Sequence, residues 1–374
     1  MLVGSSRRLL QGGTPMNPAP AWGSILYDLS GLQPRNIDAA FDDLLGKEIN
    51  ISKALRTKAS ESQNHLRDFL CSEASRDSAF PTVLSRADTD FLGGSFARHT
   101  KNWPLDDIDV YLPLDGWNLL YLSAGRRLPY VVRSDGPRSF NPLLLPRWMD
   151  GIYISSAKVV SEFARVLRRH YPAETRISSS GTCVTVRMTH GETQDANGLG
   201  YDVVPCFSLK PDDPNELEFY LMPDGRGGWM KTNPKLDTDI SNILQNFNRK
   251  FYRKVVKLIK YWNQVQLGTA FSSYYLEFAI CRLFLARKSS NQLIASVSEG
   301  LALGFESLLT AYKSGDQTSW IVGAPPIRSP RLTDIQLGNL DLVRSRAELA
   351  WNYEQASREA DALRHWNLVF GQAL

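Results

Sequence analysis

The stretch LGGSFARHTKNWPLDDIDVYLPL, residues 92–114, decides the fold. It reads as a short strand over 89–94 closing on Gly93-Gly94, a turn or short helix, a break at Pro104, and a second strand over 107–113. Side chains alternate faces along a strand, so Asp107 and Asp109 point one way while Asp106 and Ile108 point the other. Much further on, YDVVPCF (201–207) reads as another strand and carries Asp202. Asp109 lies among Ile108, Val110 and Tyr111, and Asp202 beside Val203 and Val204. Aspartates almost never occupy core-type strands without a partner. A DxD pair alone is weak evidence, but three acids on apolar strands suit a site for divalent cations beside a nucleoside triphosphate. Gly93, Gly94 and Ser95 add a turn whose backbone can approach phosphates, with a hydroxyl to donate. No Walker loop is present, because GKS and GKT are absent.

Outward from this stretch, residues 1–34 are rich in Gly, Pro and Ser and read as a coil lead or a late start near Met16. Arg7 and Arg8 precede no long apolar run, so no secretory signal is read there. Asn36 is placed to cap a helix whose apolar stripe begins Ile37, Phe41, Leu44, Leu45 and continues, with a break, to about Glu73. Lys158 to His170 is amphipathic. Thr182 to Thr189 and Gly200 to Phe207 alternate as strands around the polar loop 191–200, which predicts a hairpin. Beyond Asp239 the pattern is helical: 240–264, about 272–288, about 293–313, and 333–366 after Pro325-Pro326. The expectation is an α+β, bilobal chain with a mixed sheet and a mostly helical C-terminal lobe. The core would span 35–225, long N-terminal helix included, the helical lobe 226–374, and a cleft would lie between them.

Composition bounds the function. Hydrophobic residues make up 43 % and charged residues 22 % of 374, ordinary for a globular chain. No apolar run approaches a membrane span. Cys71, Cys183, Cys206 and Cys281 form no CxxC pair, and the five histidines have no ligand spacing, which argues against disulfides and zinc and for a reducing, cytoplasmic setting. A net charge of +4 is too small to indicate nucleic acid by itself. The basic residues cluster instead on 240–264, as Arg249, Lys250, Arg253, Lys254, Lys257 and Lys260.

Together, Gly94-Ser95, Asp107-Ile108-Asp109 and the distant Asp202 resemble the nucleotidyltransferase superfamily with the polymerase-β-like core. The resemblance is closest to the cGAS/DncV-like group, the bacterial CD-NTases of CBASS anti-phage systems and their animal relative. The helical lobe adds KLIKYW with Lys260, FSSYY with Ser273 and Tyr274, and the segment GGWMKTNPK (227–235). The resemblance implies an OAS/cGAS-like fold, with Asp107, Asp109 and Asp202 as catalytic metal ligands. It implies a donor triphosphate held by Gly94, Ser95, Lys260 and Ser273, with Tyr274 stacked on a base. Trp229 is a second candidate for stacking, and His99 a candidate base that the metals make unnecessary.

The implied cofactor is a pair of Mg2+ ions, with Mn2+ as a substitute. The implied substrates are NTPs, ATP or GTP foremost, joined and cyclised into a cyclic di- or trinucleotide. The implied partners are a regulatory protein and an effector that senses the product. No membrane partner is expected, and nucleic acid is neither required nor excluded. Two alternatives share the same residues: a linear oligonucleotide synthase or RNA-tailing enzyme, and a catalytically silent nucleotide- or RNA-binding module. Activation through a zinc ribbon is not expected, because no His/Cys cluster supports one.

Overall fold

The computed structural model describes residues 36–84, 91–123, 130–136, 140–173, 175–188, 199–209, 218–321, 323–371 and 373–374. The expected coil lead, residues 85–90 and most of the polar loop at 191–200 lie outside them. Residues Asn36–Leu374 form one compact unit.

The first helix, α1 (Ile37–Leu44), is capped by Asn36, whose Oδ1 accepts from the Asp38 amide at 2.9 Å. A π-helical stretch, Leu45–Ile49, leads to α2 (Lys53–Arg76), capped by Ser52. The quoted stretch then folds as β1 (Phe91–Leu92), the single turn α3 (Gly94–Ala97) and β2 (Ile108–Pro113). Two small hairpins follow, β3 (Leu119–Leu122) with β4 (Val131–Ser134), and β5 (Met149–Asp150) with β6 (Tyr153–Ile154). Next come α4 (Ser156–His170), β7 (Arg176–Ser179), β8 (Val184–Arg187), β9 (Gly200–Leu209), β10 (Phe219–Pro223) and β11 (Trp229–Thr232). The remainder is helical: α5 (Pro234–Phe247), α6 (Phe251–Leu267), α7 (Ser273–Ser289), α8 (Val297–Ser314), α9 (Asp334–Gln355) and α10 (Glu359–Phe370).

Seven strands make one mixed sheet in which β9 is the hub. It runs parallel to β2 on one edge. Its other edge is shared by β8 over residues 200–203 and β10 over 207–209, both antiparallel. The β8–β9 hairpin expected from the sequence is therefore present. The alternation of β2 and β9 sends Ile108, Val110, Leu112, Tyr201 and Val203 into a core shared with α2 and α4, and leaves Asp109 and Asp202 on the other face.

A second apolar cluster is built by α6 to α10. It also takes in Ile37, Phe41, Leu44 and Leu45 from α1, so the chain's first described helix packs in the C-terminal core, across the boundary drawn at 225/226. Two long helices expected from the sequence are split. The 240–264 run breaks at 248–250, where Arg249 and Lys250 take positive φ. Asn248 is fully buried there and ties two elements together, its Nδ2 donating to the Leu244 carbonyl and its Oδ1 accepting from the Ile294 amide. The 333–366 run breaks at 356–358, between α9 and α10.

Candidate functional site

The parallel register of β2 and β9 pairs Asp109 with Asp202 directly. In a parallel ladder such partners share a face, so the two carboxylates are neighbours. Asp107 immediately precedes β2, two residues from Asp109, and lines one cavity with it. Burial, then Asp107, then Asp202 push the Asp109 carboxyl up to about 7, against the pull of Arg98 and Lys101. Burial also raises Asp202, opposed by a 2.7 Å hydrogen bond from Thr185, its register partner on β8. Lys101 sits behind the pair: its Nζ donates to Asp106 Oδ1 at 2.7 Å and to Asp107 Oδ1.

Gly94 has φ +61°, and a Cβ built on it would collide with Asp109 Oδ2. The glycine is thus required twice, for its left-handed backbone and for the approach of the carboxylate. The following turn places Ser95 and Arg98 beside Asp109, and all of them line a cavity of about 480 Å³. This volume lies within the range of small-molecule sites. Across the cavity stand Ser273 and Tyr274 at the start of α7, whose free amides and hydroxyl suit a phosphate. Asp237, in the first turn of α5, accepts from the Tyr274 hydroxyl and from Trp320 Nε1, each at 3.1 Å. Lys231 and Thr232 come from β11, and the α8–α9 connection supplies Ser319, Ile321, Ala324, Pro325, Pro326, Ile327 and Arg328.

Six of the eight residues singled out from the sequence therefore meet at this cavity: Gly94, Ser95, Asp107, Asp109, Ser273 and Tyr274. Asp202 lies one strand behind the lining, beside Asp109. Lys260 stands apart from these seven. It is buried and does not line the cavity. Its Nζ is spent on Glu277 Oε1 and the Thr100 carbonyl, each at 3.0 Å. Glu277 in turn accepts from Arg98 Nε at 2.8 Å and Thr100 Oγ1 at 2.7 Å. Burial opposes ionisation of Glu277, but Arg98 and Lys260 outweigh it and hold the carboxyl down at about 2. Lys260 thus holds the anchor of Arg98, which reaches the cavity beside Asp109 with its guanidinium 5.7 Å from the Tyr274 ring centroid. Trp229 is a core residue, fully buried, donating to the Ile154 carbonyl and packed on Phe207.

Sequence reasoning gave no site role to Asp237, Trp320, Lys231 or the 319–328 wall. Only Pro325-Pro326 marked that wall, as a helix break.

The donor set fits hard divalent cations. Asp109 accepts no hydrogen bond from any described residue, and two like charges beside it leave it short of a counter-charge. Among the described residues, no three carboxylate, His or Cys groups close around one point. Asp107 is turned to Lys101 and Asp202 to Thr185.

A mixed sheet with an acid on each of two parallel strands and a Gly-Ser turn over them, backed by helices, is the fold of a bilobal nucleotidyltransferase. Comparison with known proteins agrees. The chain is 25 % identical over 346 residues to a Bacillus cereus (strain VD146) protein named as a probable cyclic nucleotide synthase, an alignment covering 90 % of this chain and 97 % of that relative. CdnC of E. coli MS115-1, solved with ATP, matches with a TM-score of 0.56 at 18 % identity over 89 % of this chain and 97 % of CdnC. CdnC in its complex with HORMA-deltaN gives 0.56 at 19 % identity, over 90 % and 97 %. No protein-family model matches the chain.

Proposed function

We propose that this chain is a metal-dependent nucleotidyltransferase that joins NTPs, releases pyrophosphate and closes the product into a cyclic di- or trinucleotide. The observation that carries the reading is the β2–β9 register, which sets Asp109 beside Asp202 with Asp107 two residues ahead, over a cavity rimmed by Gly94 and Ser95. The relative named as a cyclic nucleotide synthase supports the cyclising step. Asp107, Asp109 and Asp202 would hold two Mg2+ ions, which supply activation of the attacking hydroxyl and neutralise the pyrophosphate when bound. Ser95, Ser273 and Arg98 would bind and orient the triphosphate, taking over the contact first assigned to Lys260. Tyr274, held by Asp237, would form a face for a base. CdnC has been solved with a HORMA partner, which supports a regulatory partner protein here. An anti-phage role through a product-sensing effector belongs to the same proposal.

The test is incubation of the purified chain with labelled NTP mixtures and Mg2+, followed by phosphatase and mass spectrometry. The expected result is pyrophosphate release and a phosphatase-resistant cyclic product, both lost in Asp109→Asn. Only linear or phosphatase-sensitive products would overturn cyclisation. Failure to bind any NTP with Mg2+ would overturn the assignment of the cavity.

A further inference from the structure

Behind the Gly-Ser turn, on residues that do not line the cavity, three segments meet. The entry to α2 is tied to α6 by Lys257 Nζ, which donates to Asn50 Oδ1 at 2.7 Å. The segment after α3 is tied to α6 by Asn102 Nδ2, which donates to the Lys257 carbonyl at 3.0 Å, and to the α2 entry by the Trp103 amide, which donates to the Ile49 carbonyl at 3.0 Å. Arg56 in the first turns of α2 lies over Phe96 of α3, its guanidinium carbon 5.7 Å from the ring centroid.

This junction gathers Arg56, His99, Arg253 and Lys257. No described carboxylate pairs with any of them. Lys257 is 8 % exposed, and of its three ammonium donors only one has a described partner, a neutral amide. Arg253 bonds Asn242 Oδ1 at 2.6 Å through Nη2, while its buried Nε has no partner. Buried cations are normally paired, because leaving the charge uncompensated is costly. We propose that Arg56, Arg253 and Lys257, with His99 at the rim, form a second anion site that takes a small phosphate-type dianion, distinct from the substrate phosphates.

The repulsion within the cluster agrees with this. Burial, then Arg56, Lys260 and Arg253, push the Lys257 ammonium down to about 8. Burial, then Arg253, Arg56 and Lys257, lower His99. A compact ligand is favoured over a polymer because the positive charge does not continue along α6. Lys254 is neutralised by Asp42 and Lys260 by Glu277, so there is no track for successive phosphates. The site also has a route to the catalytic wall. His99 and Asn102 bracket Thr100 and Lys101 and follow Arg98, so an occupant there braces the segment that presents Arg98 to the cavity and Lys101 to Asp107.

The test is thermal unfolding of the full chain titrated with inorganic phosphate and, separately, with glycerol phosphate. Both titrations are run with the cavity filled by a non-hydrolysable ATP analogue and Mg2+. The wild-type midpoint should rise by about 2 °C at tenfold the Kd. The rise should vanish in Lys257→Gln and in Arg56→Gln, the second variant guarding against a folding failure of the first. Lys257→Gln without phosphate should melt no lower than the wild type, because an uncompensated buried cation has been removed. A greater gain with glycerol phosphate assigns a monoester, and a greater gain with phosphate assigns the free ion. An equal gain in wild type and both variants overturns the site. So does a gain that disappears once the analogue is bound. A Lys257-dependent gain from duplex DNA with a salt slope of several ions overturns the small-ligand assignment in favour of nucleic acid.

Discussion

At the scale of single residues, two carboxylates carry opposite consequences. Asp109 has its carboxyl raised to about 7, above its ordinary value of 3.8. A raised acid binds its proton in the folded chain over a window where the unfolded chain has lost it. Metal-free stability should therefore fall as pH rises from about 4 to 7 and level off above that. Asp109→Asn should remove this slope and raise metal-free stability at pH 8 by about 1–3 kcal/mol, read by urea unfolding in EDTA, while abolishing the stabilisation that Mg2+ gives. If the variant is less stable than the wild type in EDTA, the carboxylate is not uncompensated. Glu277 runs the other way. Arg98 and Lys260 hold it at about 2, so its contribution is present above its ordinary value of 4.5 and is lost as pH falls toward 2. Glu277→Gln leaves two buried cations without a counter-charge. It should cost about 3–5 kcal/mol and also weaken NTP binding, because Arg98 loses its hold. A variant with wild-type stability would show that the Arg98–Glu277–Lys260 group is not the clamp described.

At the scale of elements, the turn between β1 and α3 is the sharpest test. Gly94→Ala would put a methyl where Asp109 Oδ2 lies, on a backbone at φ +61°. Activity should fall by at least about a hundredfold, the order that a small misplacement of reacting groups costs, while the far-UV circular dichroism stays native. Retention of more than half the activity would mean that Asp109 moves aside freely. This turn and the three acids were legible because glycine, aspartate and apolar alternation each leave a local mark. Asp109 and Asp202 could be placed on strands from Val110 and Val203 alone, though the register that joins them is a long-range fact. The surroundings of Lys260 were not legible for the complementary reason. Its helix position is local, but its partners Glu277 and Thr100 come from other elements. The break at 248–250 was missed because no Gly or Pro marks it; the bend is fixed by Asn248 reaching Ile294, 46 residues away. The 319–328 wall carries ordinary side chains, and only tertiary structure brings them to the cavity.

At the scale of the whole molecule, the two large apolar clusters share one chain in an order that sequence did not suggest. α1 packs with α10, where Phe41 meets Trp366 edge-on at 5.3 Å and Phe370 at 6.1 Å between ring centroids. α2, a few residues later, packs on the sheet. The N-terminal segment therefore crosses from one core to the other, and the Arg98–Glu277–Lys260 group ties them again beside the cavity. Two cores joined at both places should unfold together. Residues 36–374 are expected to give a single calorimetric transition whose calorimetric and van't Hoff enthalpies agree. Phe41→Ala, a change in the C-terminal core, should lower stability by about 3–5 kcal/mol. Because the clusters are coupled, the signal of Trp229 in the sheet core and of Trp366 in the helical core should shift by the same amount. Each can be followed by replacing the other tryptophans in turn with Phe. If Phe41→Ala moves the Trp366 signal and leaves Trp229 where it was, the clusters are independent domains. The segment before α2 would then be a linker, and closure of the site would have to come from the ligand.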